Sequence, residues 1–276
     1  MKVEVLMSVM NQSNFDIAYK SKIDSDLLII NQCDRNDYGE IIVGEHRWRM
    51  ISTTNRGLSN SRNMALKYAV GDICILSDDD EVFEKGYSDI VLEAYNKKNT
   101  ASVIAFNVHR INYRMKKKYY KITKFKEASQ YRSYASPMLT FRLSAIRSYS
   151  VMFDEKFGSG SLWGGGEENL FLNDIRSFKL KIYECPDYLA TQDYSGTSVW
   201  FQGYNEKYFY NLGAFLEYSN KRNKYFRVIL YSLYICFWKL RKERLLSPFS
   251  KLRWLYLGFN GIKKDVTYNK FMEGRK

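Results

Sequence analysis

Histidine, proline and cysteine are scarce in this chain of 276 residues, which contains two, three and four of them respectively. Because zinc sites draw on clustered cysteine and histidine, the widely separated His46 and His109 argue against a zinc site. The four cysteines form no Cys-x-x-Cys pair and are far apart in sequence. That distribution is typical of buried, reduced thiols in a cytosolic protein and does not suggest a disulfide framework.

Long hydrophobic runs are also missing. The first residues have no extended apolar region of the kind found in signal peptides. The apolar stretch at residues 228–238 has eleven residues, whereas a helix that spans a bilayer needs about 20. We therefore expect a cytoplasmic location, with peripheral attachment to the cytoplasmic face of the membrane as an open alternative.

Charge is plentiful but unevenly distributed. The net charge is +13, and residues 201–276 contribute 16 Lys and Arg against five Asp and Glu. A second basic segment, residues 110–126, holds eight Lys and Arg and no acid, and we expect it to form an exposed loop or ribbon over the candidate site. Such surfaces serve nucleic acid, anionic membranes or anionic substrates, and charge alone does not choose among them. No recognition motif for RNA or DNA is present, so we expect no nucleic-acid partner.

The first hundred residues predict an α/β fold. Near-continuous apolar runs, typical of buried parallel strands, alternate with segments of helical periodicity. The predicted strands are residues 3–10, 27–30, 49–52 and 73–76. This alternation indicates a Rossmann-like, mixed and mainly parallel sheet flanked by helices.

Three consecutive aspartates, Asp78, Asp79 and Asp80, follow the strand predicted at residues 73–76. In open α/β sheets, ligands bind beyond the carboxyl ends of the strands. Carboxylate oxygens at such a place suit Mg²⁺ or Mn²⁺, which then also takes oxygens from a substrate phosphate. The alternative is an ordinary acidic surface turn.

A glycine-rich stretch at residues 157–169 ends in Glu167 and Glu168, directly before a helical pattern at 170–175. Two acids in the first turn of a helix are favoured by its dipole, so simple helix capping is one interpretation. A mobile loop that closes over a ligand is the other. A carboxylate delivered by such a loop is suited to act as a general base.

After residue 200 the composition shifts to aromatic and basic residues, which predicts a helical C-terminal region over 201–276. Apolar and aromatic side chains beside clustered positive charge suit a helix at an anionic membrane surface. A helix packed on the catalytic domain with a solvated basic face explains the same pattern. The sequence leaves both open.

Three segments over roughly residues 3–200 together resemble the inverting family 2 glycosyltransferases of the GT-A fold. NRGLSNSRN at 55–63 resembles the segment before the acidic strand, and LSDDD at 76–80 resembles the Asp-x-Asp motif. WGGGEEN at 163–169 is similar to the Gly-Gly-Glu-Asp acceptor loop of β-1,4-galactosyltransferases and chondroitin-type polymerases. The resemblance implies a catalytic domain at 1–200, with a nucleotide-sugar half at about 1–110 and an acceptor half at about 130–200.

The resemblance also implies roles for individual residues in transfer from a nucleotide-sugar, most simply a UDP-sugar, to a saccharide. Glu168 is the implied catalytic base, and Asp78 and Asp80 would hold Mn²⁺ or Mg²⁺. The implied acceptor contacts are Glu167, Trp163 and Gly166, with the indole offering a flat apolar face. The implied nucleotide-sugar contacts are Val9, Asn11, Asp34, Asn55, Arg62, Asp78 and Asp79.

Two departures from the family pattern leave details open. Residues 31–34 read Asn-Gln-Cys-Asp where the family places a uracil-reading aspartate, and Asp34 is the nearest candidate. Residues 191–193 read Thr-Gln-Asp where many members have a histidine ligand, which leaves a third metal ligand unassigned.

The acceptor implied by a cytosolic site and a basic tail is a lipid-linked saccharide, as in bacterial capsule or cell-surface polysaccharide synthesis. A homo-oligomer is compatible with the sequence. One rival is a non-catalytic, membrane-associated scaffold of the same fold. Another is a sugar nucleotidyltransferase, which would need a glycine-rich basic loop after the first strand, whereas residues 10–14 contain no glycine.

Overall fold

The computed structural model describes residues 1–112, 120–195, 203–219, 224–243 and 245–275, with the backbone alone for 224–227. The chain divides into two compact units. Unit 1 comprises residues 1–155 and 167–197, and unit 2 comprises residues 156–166 and 198–276. The segment 156–166 therefore groups with the C-terminal residues, although the residues on either side of it belong to unit 1.

Unit 1 is a mixed sheet with helices on both faces. Its strands are β1 (Val3–Met10), β2 (Asp26–Gln32), β3 (Asp37–Val43), β4 (His46–Thr53), β5 (Ile73–Asp78), β6 (Glu81–Phe83), β7 (Val103–Ile111), β8 (Lys126–Glu127), β9 (Leu139–Arg142) and β10 (Ile182–Asp193). Its helices are α1 (Asp16–Lys20), α2 (Leu58–Tyr68), α3 (Tyr87–Lys97), α4 (Leu143–Ser148) and α5 (Glu167–Ser177).

The strand order is β3-β4-β2-β1-β5-β9-β7-β10-β6, and β8 pairs with β10. The pairs that β1 forms with β2 and β5 are parallel, as are β2 with β4 and β7 with β10. The remaining pairs are antiparallel. The predicted mixed α/β fold is confirmed, and its central strands β4, β2, β1 and β5 pair in parallel.

Successive side chains of the central strands point to opposite faces of the sheet and contribute to a hydrophobic core on each face. In β1, Val5 and Met7 join one core cluster, and Leu6, which lies between them, joins the other. The first cluster includes the inward side chains of α3, and the second includes those of α2, α4 and α5. The parallel strands are thereby covered on both faces, as their continuous apolar runs require.

Several elements differ from the sequence-based expectation. Strand β3 has mostly exposed or half-exposed side chains, so it lacks the apolar run by which a buried strand is recognised. The segment 110–126, predicted to be an exposed loop or ribbon, begins inside β7, which extends to Ile111, and its last residue lies in β8. Residues 113–119 of that loop lie outside the described residues.

The described residues of unit 2 are mainly helical from residue 206 onward, whereas its segment 156–166 has no helix and carries an isolated parallel β-bridge between Phe157 and Trp163. Its helices are α6 (Glu206–Ser219), α7 (Lys224–Tyr234), which continues as a π-helical turn (Ile235–Lys239), α8 (Pro248–Lys263) and α9 (Tyr268–Glu273). Helices α6 and α8 approach closely at two glycines. A Cβ atom on Gly213 would overlap the backbone of Leu255, and one on Gly258 would overlap the backbone of Tyr210. Within the parts of the chain that the structure covers, no helix is long and apolar enough to cross a membrane.

Candidate active site

The candidate site of unit 1 lies where parallel strands end. Strands β1 and β5 run in register, with Ser8 opposite Asp78. Helix α2 starts directly after Gly57, whose φ of 106° is a conformation that suits glycine. The Ser61 hydroxyl donates to the Ser8 hydroxyl at 2.9 Å, which ties the first turns of α2 to the end of β1. This arrangement places the next residue, Arg62, beside the acidic end of β5.

Arg62 is buried and joins acidic groups from two distant parts of the chain. Its guanidinium lies 3.3 Å from an oxygen of Asp78, 3.3 Å from an oxygen of Glu168 and 3.6 Å from an oxygen of Glu167. It also donates to the Ser136 hydroxyl at 2.7 Å. Sequence reasoning placed Arg62 against a diphosphate. In this structure its charge faces the protein's own carboxylates.

Burial and crowding affect the carboxyl groups on α5. Burial, together with the neighbouring Glu168 carboxylate, raises the pKa of Glu167 to about 8, although Arg62 opposes the shift. The Glu167 Oε2 atom is buried and has no hydrogen-bond partner among the described residues. Glu168 is more exposed than Glu167 and keeps an ion pair with Arg62. The two adjacent acids therefore occupy different environments.

The acidic turn after β5 is also short of compensating charge. Burial raises the pKa of Asp80 to about 6, even though Gln192 Nε2 donates to this carboxyl at 3.1 Å. Burial and Asp78 raise the pKa of Glu81 well above its ordinary value. Glu81 accepts the Asp78 amide at 3.1 Å, while its Oε2 has no partner among the described residues. Burial, with Asp78, also raises the pKa of Asp79.

These residues fit a hard divalent cation by their chemistry. They supply carboxylate oxygens, the ligands that Mg²⁺ and Mn²⁺ prefer, and a bound cation would offset the burial and the mutual repulsion that raise their pKa values. In the described ranges, no group of three or more Asp, Glu, His or Cys residues is arranged to hold a metal. Asp78 and Asp80 are the residues that would hold such a cation.

The other residues predicted to contact the nucleotide-sugar lie at the ends of neighbouring strands. Val9 is buried in β1, and Asn11 follows that strand with a φ of 53° and donates its amide to Gln32 O. Asp34 follows β2, is exposed and pairs with Arg35 at 3.8 Å. Asn55 follows β4 and is exposed. Because β1, β2, β4 and β5 are parallel, these positions lie at the same end of the strands as Asp78.

Trp163, in unit 2, differs from the expectation of an open indole face. The side chain is fully buried, and its ring lies parallel to that of Tyr210 with 6.0 Å between centroids. Because the indole is fully buried, it is not available in this structure to stack on a sugar. Gly166, also in unit 2, has a φ of 98° and leaves no room for a Cβ beside Phe215.

Sequence reasoning missed three residues that contact the predicted acids, namely Ser136, Glu81 and Gln192. Ser136 bridges Arg62 and Asp78, since its hydroxyl lies 3.3 Å from Asp78 Oδ2. Nothing in the local sequence marks it, because a lone serine before Pro137 carries no periodic or motif signal. Gln192 could have been found from the sequence, because the Thr-Gln-Asp segment stands where many members of the family that the sequence resembles have a histidine metal ligand.

Comparison with known proteins identifies the family of unit 1. Residues 3–153 match the sequence profile described as glycosyl transferase family 2. Among proteins with curated descriptions, none matches the chain.

Among solved structures, the chain is similar to S. aureus TarS 1–349 in complex with UDP-GlcNAc, with a TM-score of 0.60, 13% identity, and coverage of 98% of this chain and 77% of that one. It is also similar to TarS 1–349 in complex with UDP, with a TM-score of 0.57, 13% identity and the same coverage. For the longer S. aureus TarS chain the TM-score is 0.58 at 13% identity, with coverage of 88% of this chain and 45% of that one.

Proposed function

This chain belongs to glycosyl transferase family 2, and we propose that it is an inverting enzyme that moves a sugar from a UDP-sugar to a saccharide hydroxyl. Family membership supports glycosyl transfer. The bond formed is a glycosidic bond to the acceptor oxygen, and the bond broken joins the anomeric carbon to the diphosphate, so that UDP leaves.

One observation carries the proposal. Asp78 at the end of β5 and Glu168 at the start of α5 both lie 3.3 Å from the guanidinium of Arg62. The acid expected near the diphosphate and the acid expected near the acceptor are therefore neighbours across one buried arginine. The convergence of two acids from distant segments supports their having roles in one site.

Glu168 is the proposed general base. It is the more exposed of the two acids on α5, and a base must reach the proton that it abstracts. Its carboxylate takes the proton of the acceptor hydroxyl as that oxygen attacks the anomeric carbon from the side opposite the diphosphate. A single displacement of this kind inverts the anomeric centre. Glu167 is buried beside it and lies 3.6 Å from the guanidinium of Arg62.

Arg62 is the proposed positive group for the leaving diphosphate. Its guanidinium can exchange a carboxylate partner for a phosphate, since it binds both with the same planar geometry. Asp78 and Asp80 would hold Mn²⁺ or Mg²⁺, which supplies Lewis-acid stabilisation of the leaving group when bound. The donor assignment is supported by TarS, whose structures contain UDP-GlcNAc and UDP.

We extend the proposal to a lipid-linked saccharide acceptor at the cytoplasmic face of the membrane, in bacterial capsule or cell-surface polysaccharide synthesis. The excess of basic residues in the region 201–276 supports this assignment, because saccharides carried on lipid phosphates lie at an anionic surface.

The test is a screen of nucleotide-sugars with the purified full chain. UDP release is measured with Mn²⁺, with Mg²⁺ and with EDTA, and products are identified by mass spectrometry. Release of UDP from one donor by the wild type, with loss in Glu168→Gln, supports the proposal. If no donor in the panel is turned over with either metal, with or without saccharide acceptors, a non-catalytic scaffold of the same fold becomes the better interpretation.

A further inference from the structure

The helix formed by α7 and its π-helical turn exposes large apolar side chains along one line. Leu230, Tyr234 and Trp238 are spaced four residues apart, which places them on one side of the helix. Each has more than half of its surface exposed, and Trp238 reaches 62%. Ile229, in the same helix, is 56% exposed. Monomeric soluble proteins seldom expose large apolar side chains as one contiguous patch.

The opposite side of this helix is packed, so the exposure is selective. Ser232, Ile235 and Cys236 are buried within unit 2. A helix with one buried side and a polar outer side would be an ordinary surface helix. Here the outer side is aromatic and aliphatic instead.

Exposed cations follow directly after this apolar line. Lys239, Arg241 and Lys242 are all exposed, and they lie at and just beyond the end of the π-helical turn. The turn that carries them is held in place by the buried Lys251, whose ammonium group donates to the carbonyl oxygens of Leu240 at 2.9 Å and Glu243 at 2.7 Å. These hydrogen bonds hold the backbone of the segment that carries the cations.

Further exposed apolar side chains lie just after these cations in the chain. Leu245 is 69% exposed, and Phe249, in the first turn of α8, is 75% exposed. Unit 2 therefore presents exposed aromatic and aliphatic groups before and after a cluster of positive charge. We call Leu230, Tyr234, Trp238, Phe249 and the cations Lys239, Arg241 and Lys242 the basic-aromatic surface.

We propose that the basic-aromatic surface binds the headgroup region of a membrane that contains anionic lipids. Aromatic rings favour the boundary between headgroups and acyl chains, and lysine and arginine next to them are attracted to anionic headgroups. Charge complementarity selects this occupant, because residues 201–276 contribute 16 basic against five acidic residues. A second copy of the same basic surface would meet it with like charge.

The inference stands on surface chemistry and does not need the proposed transferase activity. It deepens that proposal, because a chain bound to a membrane surface is held next to an acceptor that is linked to a lipid of that membrane. Binding of vesicles and turnover of a soluble nucleotide-sugar are separate measurements, so the failure of one leaves the other interpretable.

The first experiment is co-sedimentation of the full chain with vesicles of phosphatidylcholine, with and without phosphatidylglycerol. We expect binding to the anionic vesicles that weakens at high salt, and little binding to the neutral ones. The variant Leu230→Ser/Tyr234→Ser/Trp238→Ser should lose roughly tenfold or more in partitioning, because its apolar contact with the bilayer is removed. The control is Tyr131→Ser, which removes one aromatic side chain of unit 1 whose surface is 78% exposed.

The second variant removes charge. Lys239→Gln/Arg241→Gln/Lys242→Gln should lower the partitioning of the protein onto anionic vesicles by about 100-fold, because each cation near the surface contributes about 1 kcal/mol to this binding. Its control is Lys20→Gln/Lys85→Gln/Lys97→Gln, which makes the same change in net charge at exposed positions of unit 1. Circular dichroism and thermal unfolding verify that each variant is folded.

Equal partitioning of the wild type and both surface variants would overturn the proposal. So would a wild type that ignores anionic vesicles but forms dimers, measured by light scattering, that the triple serine variant abolishes. That result would assign the surface to a second copy of the chain.

Discussion

The guanidinium of Arg62 lies 3.3 Å from a carboxylate oxygen of Glu168, which is 106 residues further along the chain. Asp78 and Glu167 also lie within ion-pair distance of this guanidinium. One positive charge thus faces three carboxyl groups, a ratio that leaves negative charge uncompensated. A proton on Glu167 relieves part of this imbalance, consistent with its raised pKa of about 8.

Glu168→Gln should abolish most turnover while leaving UDP binding nearly unchanged. A general base contributes about 10²- to 10⁴-fold to rate, and glutamine has a similar shape but cannot accept the proton. The measurement is UDP release together with titration calorimetry of UDP. Glu127→Gln, an exposed acid in β8, is the matched control. Wild-type turnover in Glu168→Gln would assign the base to another residue.

Arg62→Met should destabilise unit 1, and more so at pH 8 than at pH 5. Removing one partner from a buried ion pair costs about 3–5 kcal/mol because the remaining charges have no counter-charge. At pH 5 the folded state keeps a proton on Glu167, whose pKa is raised to about 8 by burial and by Glu168. Less negative charge is then left without a counter-charge, so the difference in unfolding free energy from the wild type should shrink. Chemical denaturation at both pH values measures this, and Arg62→Lys, which keeps the charge, should lose less. A pH-independent loss would indicate that Arg62 acts through packing alone.

Glu167 should make folding stability fall as pH rises. Its pKa in the folded state, about 8, exceeds its ordinary value of 4.5, so between these values the folded state holds a proton that the unfolded state has released. The contribution of Glu167 to the free energy of unfolding is therefore fully present below about pH 4.5 and is lost as the pH rises to about 8. The melting temperature of Glu167→Gln should decline less over this window than that of the wild type. Parallel profiles would contradict the assigned shift.

Asp80→Asn should weaken metal-dependent UDP binding by at least about tenfold, since losing even an outer partner of a metal site typically costs 10- to 100-fold. Titration calorimetry with Mn²⁺, repeated in EDTA, separates the metal-dependent part of the affinity. Asp89→Asn, an exposed acid in the first turn of α3, is the control. Unchanged affinity in Asp80→Asn would count against a cation at the end of β5.

Gly213→Ala and Gly258→Ala should each destabilise unit 2 by about 1–3 kcal/mol or more, because the added methyl group overlaps backbone atoms of the facing helix. Backbone cannot move aside as a flexible side chain can. Gly274→Ala is the control in the same unit, where the new atom would meet the Lys270 carbonyl oxygen at an ordinary 3.6 Å. Thermal unfolding of the three variants provides the comparison, and equal melting temperatures would show that α6 and α8 adjust.

The sheet of unit 1 was largely predictable because its central strands are apolar on both faces. Strands β1, β2 and β5 appear in the sequence as continuous apolar runs that burial on two sides demands. Strand β3 could not be found in this way, because its exposed side chains carry no such run. Strand β6, with three residues, is too short to show a period.

The sequence by itself determined the fold class, the acidic strand end and the glutamate pair, because each depends on residues that are neighbours in the chain. Only the tertiary structure decided how those groups meet. That Arg62 lies between Asp78 and Glu168, that Ser136 joins them and that Trp163 is buried against Tyr210 depend on contacts between distant segments. Local patterns fix which side chains a segment offers, whereas packing fixes which of them become partners.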